Sequence, residues 1–350
     1  MMGKVKKGLL IILPLFLTVF ALVLGTNVKK VSAADNYFAQ KDDTEETAGP
    51  RVFVSPHWVN EVINGQTDVK DYKIFEASYG NDSTFKKGHV PGAVHINTNS
   101  VESEANQWNL LSAEKIKKLL LKNGVTSNTT LIVYSTDINA ACRVAFAALW
   151  TGVNNIKVID GGYKGWQKDD LDIQKGAAKS VKAATDFGVE VPANPQYEIK
   201  TPADFKKQQK EDSNVVLAST RSWKEFIGKT SGYSYIKDKG EPKGAVYTKS
   251  SKTSSDVDYL LNKDGTVKTA DQVSKAWAKW GVTSDSNIDF YCGTGWRATT
   301  AFFITYQAGW KNVHLYDGGW YAWDLAHKKH PAKYQVQVGD PRSENVKILK

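Results

Sequence analysis

The 350-residue sequence contains only two cysteines, Cys142 and Cys292. This number excludes a disulfide framework and a zinc site with four thiolate ligands. His314, His327 and His330 show no metal-ligand spacing with acids or cysteines, so we expect no metal site. Any chemistry carried by sulfur must therefore rest on one or both of these two cysteines.

The sequence also lacks a basic block with interleaved aromatic residues. Its formal net charge is +9, but five lysines lie in the first 33 residues without any acid, so the remainder carries only +4. Lysines elsewhere are mixed with Asp and Glu. We therefore expect no nucleic-acid partner and only a mild attraction for small anions.

One long hydrophobic run is present, at residues 8–25, and no comparable run follows it. Three lysines precede the run, and small residues near Ala33 allow signal peptidase to cut before Ala34. Residues 1–33 are therefore predicted to be a signal peptide, with an uncleaved membrane anchor as the alternative. Both interpretations place the protein outside the cytoplasm, either secreted or attached to the outer face of the cytoplasmic membrane. The polar, acidic residues 34–50 are predicted to be a disordered spacer.

The rest of the chain contains an internal repeat. Asp-Gly-Gly at 160–162 recurs at 317–319, and Gly-Val-Thr-Ser at 124–127 recurs at 281–284, both with an offset of 157 residues. Upstream the register slips, because Gly88 and the motif after it match the segment from Gly240 at an offset of 152. Two copies of one domain therefore fill the chain.

Within each copy, short β-rich runs alternate with amphipathic stretches, which is typical of a parallel sheet covered by helices. The fold class is therefore α/β, with two domains that each have a central, mostly parallel sheet flanked by helices. We place the first domain at residues 51–171, a linker at 172–195, the second domain at 196–331 and a C-terminal tail at 332–350.

Cys292 stands where chemistry is expected. It ends the strand-like run 288–292 and precedes a glycine-containing loop and a predicted helix, so loop N–H groups and the helix N-terminus can stabilise a thiolate. The nearby arginine adds positive charge. We interpret Cys292 as the catalytic nucleophile. The residues expected to bind substrate are those of the loop: Gly293, Thr294, Gly295, Trp296 and Arg297.

These motifs resemble the rhodaneses, a family of sulfurtransferases that carry sulfane sulfur as a cysteine persulfide. The resemblance covers Gly-His-Val-Pro-Gly-Ala at 88–93, Cys-Gly-Thr-Gly-Trp-Arg at 292–297 and Tyr-Asp-Gly-Gly-Trp at 316–320 followed by Trp323. It implies a tandem rhodanese fold, a persulfide on Cys292, and no cofactor or metal. It also implies two partners, a small anionic sulfur donor and a thiophilic acceptor such as cyanide or a thiol. We expect a monomer.

The same resemblance leaves the donor open between thiosulfate and 3-mercaptopyruvate. Cys-Gly-Thr-Gly resembles the mercaptopyruvate type, whereas Trp296 and Arg297 stand where many members have Val-Thr. The sequence is most similar to exported thiosulfate sulfurtransferase-like proteins with the same Gly-Trp-Arg ending. The alternative function is a non-enzymatic exported module, either a sulfur carrier or a scaffold. A related phosphatase is disfavoured, since it needs Cys-x5-Arg and this loop is Cys-x4-Arg.

The family also uses an arginine after an early strand to hold the anionic donor. Arg221 occupies that position, and we expect it to bind substrate. Ser219 replaces the usual Asp of the Asp-x-Arg pattern. Because a paired carboxylate fixes the guanidinium plane, we expect Arg221 to be less firmly oriented here.

The first copy lacks both functional groups. Ser135 aligns with Cys292, and Ser78 aligns with Arg221. A serine without an adjacent base cannot carry a persulfide or act as a nucleophile. The first domain is therefore predicted to be catalytically silent and to close one wall of the pocket. Cys142 lies in an apolar helical pattern and is predicted to be a core residue.

Overall fold

The computed structural model describes residues 47–350. The predicted signal peptide and most of the predicted spacer lie outside these residues. No helix in the described part of the chain is long and apolar enough to cross a membrane.

The first domain is a parallel five-stranded sheet with strand order β1-β5-β4-β2-β3. Its strands are β1 (Phe53–Val54), β2 (Tyr72–Ser78), β3 (Val94–Asn97), β4 (Thr130–Tyr134) and β5 (Ile156–Ile159). Its helices are α1 (Pro56–Ile63), α2 (Ser83–Lys87), α3 (Ala113–Lys122), α4 (Ile138–Thr151) and α5 (Gly162–Lys168).

The second domain repeats this plan. Its strands are β6 (Glu198–Ile199), β7 (Val215–Ser219), β8 (Glu241–Pro242), β9 (Val246–Tyr247), β10 (Asn287–Tyr291) and β11 (Val313–Tyr316). Its helices are α6 (Pro202–Glu211), α7 (Trp223–Phe226), α8 (Ala270–Ala278), α9 (Trp296–Gln307) and α10 (Gly319–Lys329). The parallel sheet has the order β6-β11-β10-β7-β9, which matches the first sheet strand for strand. The expected α/β architecture is therefore confirmed.

The C-terminal segment is more than a tail. Residues after 331 form β12 (Val336–Val338) and β13 (Lys347–Leu349), which join β8 in a three-stranded antiparallel sheet. Val336 is buried, and the indole of Trp323 donates a hydrogen bond to the carbonyl of Gln335 at 3.1 Å. The second domain therefore extends beyond the expected end at residue 331.

The central strand of each sheet points its carboxyl end at the region between the domains. All five residues of β4 are buried, as are four of the five in β10, because helices cover both faces of each sheet. Ligands of open parallel sheets bind outside the carboxyl ends of the strands. This geometry places Ser135 and Cys292 at equivalent ends of the two central strands.

Helices α4 and α9 pack against each other across the domain boundary. The ring of Phe146 meets that of Phe302 edge to face, with centroids 4.9 Å apart. The hydroxyl of Thr300 donates to the side-chain carbonyl of Asn139 at 3.1 Å. One apolar cluster contains buried residues of both domains, so the two halves share a core.

Two aspartates at equivalent positions of the repeat form further contacts between the domains. The Asp160 carboxylate of the first domain accepts the backbone N–H of Val267 at 2.7 Å, and the Asp317 carboxylate of the second accepts that of Leu110 at 2.7 Å. Asp160 lies 157 positions before Asp317, and Val267 lies 157 positions after Leu110. Both separations equal the offset of the repeat. The Asp-Gly-Gly motif of each domain therefore fastens it to the other.

We expect Phe146→Ala to lower the free energy of unfolding by about 3–5 kcal/mol, because it leaves a cavity in the shared core. Urea unfolding followed by circular dichroism measures the loss. Ile173→Ala is the matched control: this side chain is 40% exposed, so its truncation should change stability by no more than about 0.5 kcal/mol. A loss below about 1 kcal/mol for Phe146→Ala would contradict the shared core.

Candidate functional site

Cys292 follows the last residue of β10, where Tyr291 pairs with Ser219 of β7. Its side chain is fully buried. The loop that begins here ends at α9, so the sulfur lies between a strand end and a helix N-terminus, as predicted. Cys142, in contrast, is a buried residue of α4 within the shared core.

The loop requires its two glycines. Gly295 has φ +89°, a conformation that side chains with a Cβ rarely adopt. A Cβ on Gly293 would lie 2.2 Å from the ring of Tyr233, so this ring sits directly against the loop backbone. The glycines at these positions therefore follow from backbone conformation and close packing.

The loop is held by its carbonyls and leaves its N–H groups available. The carbonyl oxygens of Cys292 and Gly293 accept the backbone N–H groups of Trp320 and Tyr321 at 2.9 and 3.1 Å. No hydrogen bond within residues 47–350 uses the backbone N–H groups of 293–297. These donors are free to bind an anion or a sulfur carried by Cys292.

Arg297 lies in the site but its charge is already paired. Its two terminal nitrogens donate to the two oxygens of Glu225 at 3.0 and 2.9 Å, and one of them also donates to the hydroxyl of Tyr233 at 2.9 Å. Burial alone would raise the pKa of Glu225, but Arg297 and Arg221 outweigh it and lower this pKa to about 2. Among the described residues, the buried Nε of Arg297 has no hydrogen-bond partner.

Arg221 does not occupy the place expected for a donor-binding residue. Its guanidinium is fully buried and is not among the residues that line the pocket beside the loop. It donates to the carbonyls of Gly240 and Ser231 at 2.7 and 2.9 Å and forms ion pairs with Glu241 at 2.9 Å and Glu225 at 3.4 Å. In this structure Arg221 therefore supports the protein beneath the loop, and the expectation that it binds the anionic donor stays a prediction.

The expectation of a loosely oriented Arg221 is corrected. Glu241, which follows in β8, supplies the carboxylate that Ser219 lacks, and the Ser219 hydroxyl donates to it at 3.2 Å. Tyr291 also donates a hydrogen bond to Glu241. Burial raises the pKa of Glu241 to about 7 although Arg221 lowers it. The guanidinium plane is thus fixed by a carboxylate from a different strand.

The first domain contributes a second buried arginine to the site. Arg143 of α4 donates to Asp317 at 2.6 Å, to Glu102 at 2.8 Å and to the carbonyl of Trp108 at 2.9 Å. Burial alone would lower the pKa of Arg143, but the two carboxylates raise it above its ordinary value. Its charge is therefore retained in the interior and joins both domains.

This arginine also shapes the loop that carries Cys292. A Cβ on Gly295 would lie 2.6 Å from a terminal nitrogen of Arg143 and 2.7 Å from the carboxylate of Asp317. The second carboxylate partner, Glu102, accepts a hydrogen bond from the indole N–H of Trp296. Two loop residues are thus positioned by the domain that lacks a nucleophile.

The equivalent position in the first domain has no such environment. Ser135 follows the last residue of β4, and its hydroxyl accepts the N–H of Asp137 at 3.1 Å. In the described residues no histidine or carboxylate forms a hydrogen bond with that hydroxyl. Asp137 caps the helix that follows through the N–H of Asn139 at 2.9 Å. These contacts differ from those of the Cys292 loop, and they agree with the prediction that the first domain is catalytically silent.

A pocket of about 290 Å³ opens beside the loop and between the two domains. Thr294, Trp296 and Arg297 line it from the loop, and Tyr233 and Tyr235 line it from the segment after α7. Burial raises the pKa of Tyr235 to about 12, with a hydrogen bond to Thr294 lowering it and the charge of Cys292 raising it. Both tyrosines therefore remain protonated near the sulfur.

Tyr233 and Tyr235 were not predicted from the sequence. They lie in the part of the second domain where the repeat register slips, so the first domain offers no aligned counterpart. Glu102 and Arg143 were not predicted either, because the functional contact they make crosses the domain boundary. No group of three or more His, Cys, Asp or Glu side chains in residues 47–350 is arranged to hold a metal.

The family model for the rhodanese-like domain matches residues 55–169 and 201–326. The chain belongs to the rhodanese family. Among curated relatives, this rhodanese is 41% identical to the thiosulfate sulfurtransferase YnjE of Escherichia coli K12 over 274 residues, which cover 77% of this chain but only 62% of YnjE. It is 25% identical over 281 residues to the 3-mercaptopyruvate sulfurtransferase of Escherichia coli K12, with coverage of 77% and 94%.

Solved structures give the same result. The crystal structure of YnjE has a TM-score of 0.76 at 39% identity and covers 82% of this rhodanese and 68% of that chain. EanB, as a cysteine persulfide in a tetrahedral intermediate state with ergothioneine, has a TM-score of 0.77 at 29% identity, with coverage of 86% and 74%. The predicted tandem rhodanese fold is confirmed, and the expected enzyme class, sulfurtransferase, is the class of the curated relatives named above.

The contacts of Arg221 predict that its main role is stability. Arg221→Met should lower the free energy of unfolding by about 3–5 kcal/mol, because Glu225 and Glu241 lose a buried partner. Urea unfolding at neutral pH measures this loss. Lys229→Met removes an exposed cation of the same domain and should change stability by no more than about 0.5 kcal/mol. A stable Arg221→Met protein with an impaired affinity for the donor would instead support the predicted role of Arg221 in donor binding.

Proposed function

We propose that this rhodanese transfers sulfane sulfur from a small anionic donor, thiosulfate or 3-mercaptopyruvate, through a persulfide on Cys292 to a thiophilic acceptor. The observation that carries the proposal is the loop itself. It joins a nucleophile at a strand end to a run of backbone N–H groups that the described protein leaves unused. Such groups stabilise negative charge on a thiolate, a persulfide or an oxyanion.

In the first step the Cys292 thiolate attacks the outer sulfur of the donor. A new S–S bond forms, the donor's bond to that sulfur breaks, and its electron pair leaves with sulfite or with the enolate of pyruvate, which then takes up a proton. Tyr233 is placed near this chemistry, since its ring contacts Gly293 and its hydroxyl accepts a hydrogen bond from Arg297. Burial raises the pKa of Tyr233 above its ordinary value, so it keeps a proton to donate.

In the second step a nucleophilic acceptor attacks the outer sulfur of the persulfide. The S–S bond breaks, its electron pair returns to Cys292 as a thiolate, and the acceptor leaves as thiocyanate or as a new persulfide. In the first step of this proposal, the loop N–H groups and the unpartnered Nε of Arg297 bind the donor anion. The cysteine persulfide of EanB, a relative with the same fold, supports the intermediate.

A sulfur carrier or scaffold without turnover is the alternative function. The loop geometry favours the enzyme, because a carrier needs only an accessible thiol whereas this one is surrounded by positioned donors and protonated tyrosines. We further propose that the protein acts as an exported monomer outside the cytoplasmic membrane. The location outside the membrane rests on the sequence of residues 1–33 alone.

Cys292→Ser should abolish persulfide formation while the protein stays folded, because serine cannot hold sulfane sulfur. Intact mass after incubation with thiosulfate or 3-mercaptopyruvate should show the wild type gaining one sulfur atom and Cys292→Ser gaining none. Release of that sulfur to cyanide then demonstrates turnover. Cys142→Ser is the control and should still load, with at most a modest loss of stability for a polar atom in the core. Loading of the Cys292→Ser variant would contradict the proposal.

A further inference from the structure

Another cavity lies in the first domain and shares no lining residue with the pocket beside the Cys292 loop. Its lining residues come from the segments 80–85, 94–97, 122–123 and 178–181, and we call it the first-domain groove. Gly80 lies two residues beyond the end of β2, and Asn97 is the last residue of β3. Ligands of open parallel sheets bind outside the carboxyl ends of the strands. The groove therefore occupies a position where a ligand is expected.

The size of the groove suits an organic molecule. Its volume is about 610 Å³, and organic ligand sites usually measure roughly 300–1,000 Å³. Two buried apolar side chains, Phe85 and Val94, are among the lining residues. The groove can therefore contact an apolar part of a ligand as well as a polar part.

The second domain fills the equivalent space with aromatic rings. The registers of β2, β3, β7 and β9 and the 157-residue offset align three groove residues with three aromatic residues: Gly80 with Trp223, His95 with Tyr247 and Asn123 with Trp280. The ring of Trp223 lies 5.0 Å from that of Tyr247 and 6.2 Å from that of Trp280. The guanidinium carbon of Arg342 lies 3.9 Å from the centre of the Trp280 ring. Smaller side chains thus leave open in the first domain a space that its copy closes.

The first-domain groove presents hydrogen-bond donors. The side-chain oxygen of Asn81 accepts the backbone N–H of Ser83 at 3.0 Å. That of Asn97 accepts the backbone N–H of Asn99 at 3.0 Å. These contacts use the oxygens, and no hydrogen bond within residues 47–350 uses the amide N–H groups of Asn81 and Asn97. Both amides are therefore available to an acceptor.

The groove also has a net positive charge. Lys122, the last residue of α3, and Lys179 of the linker line it, and neither forms an ion pair within the described part of the chain. Asp82 is the single acid among the described lining residues, and it pairs with Lys86 at 2.9 Å. Burial lowers the pKa of His95, so this residue adds no charge at neutral pH. Two cations thus remain without a counterion.

We propose that the first-domain groove binds a phosphate monoester of a small organic molecule. Such a group carries a charge of about −1.5 to −2 at neutral pH and three acceptor oxygens. The ammonium groups of Lys122 and Lys179 match this charge, because lysine binds phosphate as a point charge. The amides of Asn81 and Asn97 supply further donors. The site is separate from sulfur transfer and does not depend on it.

Isothermal titration calorimetry of the full chain tests the ligand class with phenyl phosphate, phenol and inorganic phosphate. We expect phenyl phosphate to bind at least about tenfold more tightly than phenol, because two cations attract it. It should bind at least about threefold more tightly than inorganic phosphate, because its ring contacts the apolar part of the groove. Phenol binding as tightly as phenyl phosphate would overturn the proposal, and so would tighter binding of inorganic phosphate.

A lipid headgroup is the other source of an organic phosphate. Dihexanoylphosphatidylglycerol is a phosphate diester with a single charge, so it should bind more weakly than phenyl phosphate. Tighter binding of this lipid would overturn the assignment to a monoester and would indicate a membrane headgroup instead.

Variants locate the binding in the groove. Lys122→Gln and Lys179→Gln should each weaken phenyl phosphate binding about 2- to 5-fold, the range for exposed charge pairs. Asn123→Trp introduces the residue that the aligned helix end already carries as Trp280, and it should abolish measurable binding because the ring fills the space. Lys279→Gln is the matched control, since Lys279 is exposed and aligns with Lys122, and it should change nothing.

Phenyl phosphate binding that is unaffected by Lys122→Gln, Lys179→Gln and Asn123→Trp would overturn the proposal. Circular dichroism confirms that each variant is folded. Persulfide formation on Cys292 should be unchanged in all of them, because none of these residues lines the pocket beside the loop. Failure of persulfide formation in the wild type would refute sulfur transfer and leave the groove proposal intact.

Discussion

The arrangement of the site depends on one buried arginine that belongs to the domain without a nucleophile. Arg143 reaches from α4 to the carboxylate of Asp317 at 2.6 Å and to that of Glu102 at 2.8 Å, with none of the three side chains exposed. Removing one partner of such a set leaves an uncompensated charge in the interior, which is far more costly than the net gain of forming the set. The contacts around it are therefore fixed together: the glycine turn at Gly295, the indole of Trp296 and the packing of the Asp-Gly-Gly motif.

This dependence gives the silent first domain a physical role. Duplication placed equivalent strand ends and equivalent aspartates on both sides of the interface, and the two aspartate contacts still obey the repeat offset. The sequences of the equivalent helices α4 and α9 diverged, since Arg143 of α4 aligns with Thr300 of α9. The first domain thus supplies Arg143 and the rings of Tyr79 and Trp108. The second supplies the sulfur and the remaining rings of the pocket. A single rhodanese-like domain would lack half of the pocket.

The fold and the nucleophile could be predicted because they follow from local patterns. The 157-residue offset and the alternation of strands and helices specify two α/β domains, and a cysteine followed by a glycine turn specifies a loop at a strand end. Side-chain partners could not be predicted in the same way. Arg221 matched a family position, but its carboxylate partner Glu241 comes from a strand that the motif does not include. The pocket rings Trp108 and Tyr235 meet only because the domains pack, a contact that no sequence spacing encodes.

The central claim, that Arg143 and Asp317 act together to position the Cys292 loop, is tested most directly by a double-mutant cycle. The measurement is the rate of persulfide formation on Cys292 in the wild type, Arg143→Met, Asp317→Asn and the double variant, each confirmed to be folded. We predict a coupling energy of about 1–3 kcal/mol in the activation barrier, with the double variant no slower than the slower single variant. Asp160→Asn, which perturbs the repeat-related contact in the other half, should leave the rate nearly unchanged. Additive effects within about 0.5 kcal/mol, or a wild-type rate for Arg143→Met, would contradict the account.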